Sequence, residues 1–265
     1  MEMQNLVREP SSIALFASHR PGIEIADYFQ RVSCDQVIAL YLTGQDEKTD
    51  EAIINALKMP SERVFIGKSV LNDHGHFAWL AAQKIDAVVT VYWPYLLKKE
   101  VFRLAKKTVN FHPALLPINR GWYPHVHSLI DGSPSGVTLH ALEIEADTGD
   151  IWAQKQVSIL PTETAKDLYL RLQQEIVALF KETWEDIMQD KIIPQPQDHS
   201  SAVYHSKSSV AQYDHIDLDA NCTPRQFINL LRARSFGDKG FAFYEEDGKK
   251  IYVNLRLSTD SSFCQ

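Results

Sequence analysis

Asn110 and His112 stand two positions apart at the end of an apolar run, in the stretch VNFHPALLPINRG that covers residues 109 to 121. In a strand, residues i and i+2 project to the same side, so both side chains can face one cavity. A carboxamide can donate a hydrogen bond to an oxygen that gains negative charge. A neutral imidazole can take or give a proton near pH 7. Pro113 and Pro117 stiffen the chain as it leaves the strand. A second polar group, EADTGD at 145–150, sets Asp147 in a glycine-containing turn. Each group taken alone also suits an ordinary loop, because Asp and Gly are common turn formers and polar residues often close strands.

Other chemistries lack their signatures. There is no GxGxxG or P-loop, and FASHRPG after the first apolar run holds one glycine. No GxSxG elbow occurs. The ten histidines show no HExxH spacing, so no metal site is expected, and His125 and His127 read as loop or surface groups. The three cysteines (Cys34, Cys222 and Cys264) are scattered and read as reduced thiols.

The elements that must carry these residues follow from hydrophobic periodicity. Apolar runs at 12–18, 36–44, 63–67, 86–93 and 108–112 read as strands. Helical patterns fill the gaps at 22–31, 46–58, 75–84 and 94–107. Such alternation implies βαβ units, a mostly parallel sheet and right-handed connections. Ligands of open α/β sheets bind beyond the carboxyl ends of the strands, where Asn110 and His112 lie. Two further strands are expected at 135–143 and 149–159, then a long amphipathic helix at 164–189 with Leu168, Leu172, Ile176, Leu179 and Trp184 on one side. The Pro- and Ser-containing stretch 191–202 reads as a boundary. It separates a catalytic domain (1–200) from a C-terminal extension (201–265) made of a helix at 224–235 and a β-hairpin. Asp247-Gly248 is the hairpin's turn signal.

Apolar residues make up 45% of the 265-residue chain, enough for a sizeable core. The net charge of −7 argues against a protein that mainly grips nucleic acid. The first residues lack a signal-peptide core, and no apolar stretch reaches the length of a membrane span. A cytoplasmic location is expected, with no membrane partner.

Together, NFHPALLPINRG, SGVTLH and ADTGDI, in that order, resemble the folate-dependent formyltransferase family, whose pattern reads Asn-x-His-Pro-Ser-Leu-Leu-Pro, Gly-Val-Thr-x-His and Asp-x-Gly-x-Ile. Residues 86–160 carry the match, and Ala114 departs from it where the family has Ser. The resemblance implies a Rossmann-like formyltransferase core and a catalytic triad of Asn110, His112 and Asp147. It implies 10-formyltetrahydrofolate as co-substrate, without a metal. The donor would be bound by Tyr92, Trp93, Pro94, Tyr95, Ala114, Leu115, Leu116, Pro117 and Asp147.

RGWYPHVHSLIDG and INLLRARSFGDKGFAFYEEDGKKIYV extend the resemblance to enzymes that formylate amino-dideoxy sugars on dTDP, for bacterial O-antigen or other surface glycans. Trp122 and Tyr123 would then face the hexose. Arg232 and Arg234 offer forked donors for a pyrophosphate, and Phe236 a ring for thymine. In the resembling enzymes the hairpin region builds a dimer interface, so a homodimer is expected. Another amine, on a UDP-amino sugar or Met-tRNA, is the alternative acceptor, and a non-catalytic folate- or nucleotide-binding protein the alternative class. Residues 201–265 hold eight Lys/Arg against eight Asp/Glu, a neutral balance that disfavours tRNA.

Overall fold

A seven-stranded sheet with strand order β3-β2-β1-β4-β5-β7-β8 organises the chain in the computed structural model, which describes residues 8–259. Its strands are β1 (Ser12–Ala17), β2 (Gln36–Leu42), β3 (Val64–Ile66), β4 (Ala87–Val91), β5 (Lys107–His112), β7 (Gly136–His140) and β8 (Ile151–Gln156), and β6 is the short Arg120–Gly121. Pairings β1–β2, β1–β4, β2–β3 and β4–β5 are parallel. Helices α1 (His19–Arg31), α2 (Glu47–Leu57), α3 (His74–Ala82) and α4 (Lys99–Phe102) connect the early strands, and α5 (Pro124–Asp131) and α6 (Ala165–Met188) follow. The chain then adds β9 (Tyr204–His205), α7 (Pro224–Ala233), β10 (Ser235–Phe236), β11 (Lys239–Gly240), β12 (Ala242–Glu246) and β13 (Lys249–Val253). Cys264 and the first seven residues, on which a leader was judged, lie outside the described residues. Cys34 and Cys222 are free and exposed.

Two compact units share these elements. The first takes the chain up to His112 with Leu139–Ala153 and Val177–Pro196. In it, Ile13 to Ala17 of β1 are fully buried, as a strand covered on both faces requires. The Phe16 ring stacks on Tyr41 with centroids 4.1 Å apart. The strand order reverses between β1 and β4, so both neighbours of β1 leave their carboxyl ends at one edge, where α/β sheets bind ligands. Asp46 caps α2 by accepting from the Thr49 amide, and Glu47 and Asp50 in its first turn suit the positive end of the helix.

The helix expected over 94–107 shrinks to α4, only four residues. Pro94 offers no backbone N–H and disfavours a helical Trp93. Leu97, Leu104 and Ala105 instead pack directly on the core cluster around Phe16 and Tyr41. Tertiary burial replaced the helical stripe.

The second unit takes Pro113–Thr138, Gln154–Ile176 and the chain from Gln197 onward. Here α5 was not anticipated, although Pro124 at its first turn and Gly132 in the left-handed C-cap are standard boundary residues. His125 and His127 sit on this helix, 5% and 1% exposed, and are not the loop or surface groups the sequence suggested. The helix turns both rings inward. α7 carries a full capping box between Thr223 and Gln226. β12 and β13 form the expected hairpin, with Asp247 and Gly248 both at positive φ and Glu245 and Glu246 opposite Lys250 and Lys249.

Burial pushes His125 down to about 3, reinforced by His127 and Arg234. It pushes His127 down to about 4, reinforced by His205, whose ring stacks on it at 3.4 Å between centroids. Both rings are therefore neutral in the fold, while an unfolded chain protonates them near 6.5. Below that value the unfolded state binds more protons, so stability is complete above about pH 6.5 and falls as pH drops toward 4 and then 3. His125 alone should remove about 2 kcal/mol by pH 5, at ~1.4 kcal/mol per unit. Urea unfolding at pH 7 and pH 5 measures this. The His125→Phe variant should flatten the dependence, and an equal slope in the variant would exclude His125 as its source.

Candidate active site

Parallel pairing of β4 with β5 sets Thr90 directly beside Asn110. β5 then presents Asn110 and His112 with the two-residue spacing that puts both on one side. β7 ends at His140, and the chain from Ala141 to Asp150 folds back so that the Asp150 carbonyl accepts from the Ala141 amide at 2.8 Å. Asp147 occupies that loop at φ +58°.

Four side chains converge within the first unit. His112 Nδ1 lies 3.4 Å from Asp147 Oδ1, and His140 Nε2 lies 3.5 Å from the same oxygen. Asn110 Nδ2 is 2.9 Å from His140 Nε2 and 3.5 Å from Asp147 Oδ1. His140 Nδ1 donates to the Ala141 carbonyl at 2.7 Å, which leaves Nε2 as the acceptor for the Asn110 amide. His112 and His140 are buried, and the Asp147 side chain is 12% exposed. The cluster thus joins an amide donor, two imidazoles and one carboxylate with little water access. Such a set can stabilise an oxyanion and move a proton.

The three residues singled out from the sequence, Asn110, His112 and Asp147, are brought together. His140 and Thr90 were missed. His140 lay in the quoted SGVTLH, and only the folded loop reveals that it meets Asp147.

Candidate donor-side residues of the first unit lie just past β4. Tyr92 is at φ +53°, and its carbonyl accepts from the Ser18 hydroxyl. Trp93 meets Phe16 edge-on at 5.3 Å and Tyr95 at 5.4 Å. Its indole N–H is buried without a partner among the described residues. Pro94 is half-buried beside it, and Gln45 donates to the Tyr95 hydroxyl at 2.7 Å.

In the second unit, Ala114 and Leu116 are buried and bound through their backbones. The Thr138 hydroxyl donates to the Ala114 carbonyl at 2.7 Å and accepts from the Leu116 amide. Gln154 donates to the Leu116 carbonyl, and the Leu116–Pro117 peptide is cis. Leu115 packs where a side chain on Gly136 would stand, 3.0 Å away. Nothing in this backbone pattern calls for the hydroxyl that Ala114 lacks.

The proposed acceptor-side residues also fall in the second unit. Trp122 lies 4.9 Å beneath the Lys207 ammonium, and Tyr123 caps α5 at φ +55°. Phe236 pairs with Lys239 and meets the Tyr169 ring at 6.0 Å. Arg232 and Arg234 are both buried and occupied. Arg232 donates to the carbonyls of Glu163 and Leu160 and to the Asn229 side chain. Arg234 is paired with Asp214 and lies 4.9 Å over Phe241. These guanidinium groups hold their own unit together in this structure, an occupation that the sequence did not suggest.

The description "Formyl transferase" fits residues 43–183, and "N-formyltransferase dimerization C-terminal domain" fits residues 210–259. The chain belongs to the formyl transferase family. Its formyltransferase fold is shared with a 4-N formyltransferase from Francisella tularensis at 25% identity, with a TM-score of 0.81 over 94% of this chain and 99% of that one. An N-formyltransferase from Helicobacter canadensis, solved with folinic acid and dTDP-3-aminofucose, has the same fold at 19% identity and a TM-score of 0.68, over 91% of this chain and 86% of that one. Over 155 residues this chain is 31% identical to dTDP-4-amino-4,6-dideoxyglucose formyltransferase of Mycobacterium tuberculosis, a match covering 58% of this chain and 66% of that protein. The resemblance read from NFHP, SGVTLH and ADTGDI is therefore borne out for family and fold. Among the described residues, no group of three or more His, Cys, Asp or Glu is placed to hold a metal ion. Among the described residues, no helix is long and apolar enough to cross a membrane.

Proposed function

We propose that this protein transfers a formyl group from 10-formyltetrahydrofolate to the amine of a dTDP-linked amino-dideoxyhexose, in the cytoplasm, for a bacterial surface glycan such as O-antigen. The observation that carries the reading is the convergence of Asn110, His112, His140 and Asp147 at the end of β5. The donor set fits a folate: the site offers an amide for the formyl oxygen, and the buried Trp93 N–H is a donor that a heterocycle's acceptor would satisfy.

The bound folate supplies an activated formyl carbon. Asn110 Nδ2 donates to the formyl oxygen as negative charge builds there during attack by the sugar amine. His112, beside Asp147, takes the proton from the attacking nitrogen and delivers it to the departing folate nitrogen. One carbon–nitrogen bond forms and another breaks, with the proton following the leaving group. His140, fixed by the Ala141 carbonyl, holds the Asn110 amide from the side. Burial excludes water and so disfavours hydrolysis of the formyl group.

Tyr92, Trp93, Pro94 and Tyr95, with Ala114, Leu115, Leu116 and Pro117, are proposed to flank the folate. Trp122, Tyr123 and Phe236 are proposed for the sugar and base. Arg232 and Arg234 are assigned to holding the segments at Leu160, Glu163 and Asp214, since the carbonyls of the first two accept from Arg232 and the carboxylate of the third from Arg234. Residues 201–265 act as the C-terminal extension appended to catalytic domain 1–200.

Mass measurement of products decides the reading. Purified protein with 10-formyltetrahydrofolate and the 3-amino or 4-amino dTDP-dideoxyhexoses should add one formyl to one of them, which fixes the regiochemistry. Formylation of only a UDP-amino sugar or Met-tRNA would reassign the acceptor. No formylation of any amine would remove the enzymatic reading.

A homodimer is proposed through the C-terminal extension. Phe227, Ile228, Phe241, Ile251 and Tyr252 are exposed apolar residues in or beside α7 and the hairpin. Among the described residues, Ile216, Leu231 and Ala242 form the buried cluster beneath, with Leu230, Tyr244, Val253 and Leu255 packed against it, a small core for a two-stranded ribbon. Light scattering should give twice the chain mass of 30.2 kDa, and the Ile251→Glu/Tyr252→Glu double variant should give the single mass. A variant that stays dimeric would exclude this face.

A further inference from the structure

We propose that Thr90 is a positioning residue for formyl transfer: its hydroxyl locks the Asn110 carboxamide so that the NH2 group faces the reacting oxygen. The inference rests on the formyl-transfer reading for its kinetic consequence, but its geometry stands apart from any substrate.

Thr90 is 2% exposed, on β4, and no part of the reaction described above uses it. Its Oγ1 is 2.6 Å from Asn110 Oδ1 and 3.5 Å from the Val109 carbonyl. A hydroxyl has one proton, and the shorter contact takes it. The opposite amide orientation would need the Thr90 proton to reach Val109 at the outer limit of a hydrogen bond. It would also turn Asn110 Oδ1 toward Asp147 Oδ1 and toward His140 Nε2. The carboxylate repels an oxygen, and Nε2 of the neutral ring has no proton to offer, because Nδ1 gives that ring's one proton to the Ala141 carbonyl. The chain from Thr90 to Asn110, His140 and Ala141 is therefore directional, with every donor meeting an acceptor.

The lock matters because Asn110 is useful in one orientation only. A rotated amide presents its oxygen to an oxygen, which raises the barrier instead of lowering it. β4 supplies the anchor from a rigid, fully buried strand, so little reorganisation accompanies the reaction.

Thr90→Val keeps the shape and removes the hydroxyl, and Thr90→Ser keeps the hydroxyl and removes a methyl. On the acceptor that wild type uses, Thr90→Val should lower kcat by about tenfold with KM little changed, and Thr90→Ser should restore most of it. In parallel, the 15N side-chain NH2 pair of Asn110, assigned by its loss in Asn110→Asp, should exchange with solvent at least about tenfold faster in Thr90→Val but not in Thr90→Ser. Wild-type kcat together with unchanged amide exchange in Thr90→Val would overturn the proposal. So would a Thr90→Ser variant as impaired as Thr90→Val. If wild type formylates nothing yet the amide lock is lost in Thr90→Val, the lock stands and the reaction assigned to it falls.

Discussion

Asn110→Ala lowers kcat for formyl transfer by about 10²–10³-fold, a barrier increase of about 2.7–4 kcal/mol, while KM for both substrates stays within a few-fold. The split follows from where the amide acts. Its Nδ2 faces the cluster of His140 and Asp147, and the charge it stabilises grows on the formyl oxygen only as the amine adds. Ground-state binding gains little from it, so its removal is felt in kcat. The fold should tolerate the change, because Asn110 stands at the carboxyl end of β5 and loses no backbone pairing with Thr90. Steady-state kinetics with a thermal melt on the same preparation make the check. A fall of less than about threefold, with a normal melt, would exclude Asn110 as the oxyanion donor.

The second large effect is expected at a residue with no side chain. A methyl on Gly149 would stand 1.9 Å from the Ala141 carbonyl oxygen and 2.6 Å from its carbon. Both atoms are backbone, so no rotamer change relieves the clash and the loop must move. That loop carries Asp147 two residues earlier, and the displaced carbonyl is the one that fixes the tautomer of His140. Gly149→Ala should therefore misplace the carboxylate and one imidazole together. A displacement near 1 Å in a positioned group costs about 10²-fold in rate, so Gly149→Ala should be at least as damaging to kcat as Asn110→Ala. Gly67→Ala is the control. Gly67 also has positive φ, but a methyl there meets nothing within 4 Å. It should cost about 1 kcal/mol of stability through backbone strain and leave kcat intact. Equal activity of the two variants would mean that the Asp147 loop is not held by this close approach.

The sequence by itself determined the alternation of strands and helices through β4, the strand β5, and the Asp247-Gly248 hairpin. It also placed Asn110 and His112 on one side of a strand. Each of these is a local property, fixed by side-chain periodicity or by the φ that a turn residue tolerates. The order of NFHP, SGVTLH and ADTGDI was legible too, because a motif records its own spacing.

What only the tertiary structure decided concerns partners distant along the chain. Residues 94–107 carry a helical pattern, yet the core around Phe16 and Tyr41 takes their apolar side chains without most of the helix. His125 and His127 looked like surface groups until α5 turned them inward. Arg232 and Arg234 looked fully available to a pyrophosphate, but the fold commits donors of Arg232 to Glu163, Leu160 and Asn229 and donors of Arg234 to Asp214. Thr90 and His140 are ordinary strand residues in sequence. They join the site because parallel strands set Thr90 beside Asn110 and because a glycine lets one loop return Asp147 to His140. Periodicity tells which way a side chain points, and the packed fold alone tells what it meets there.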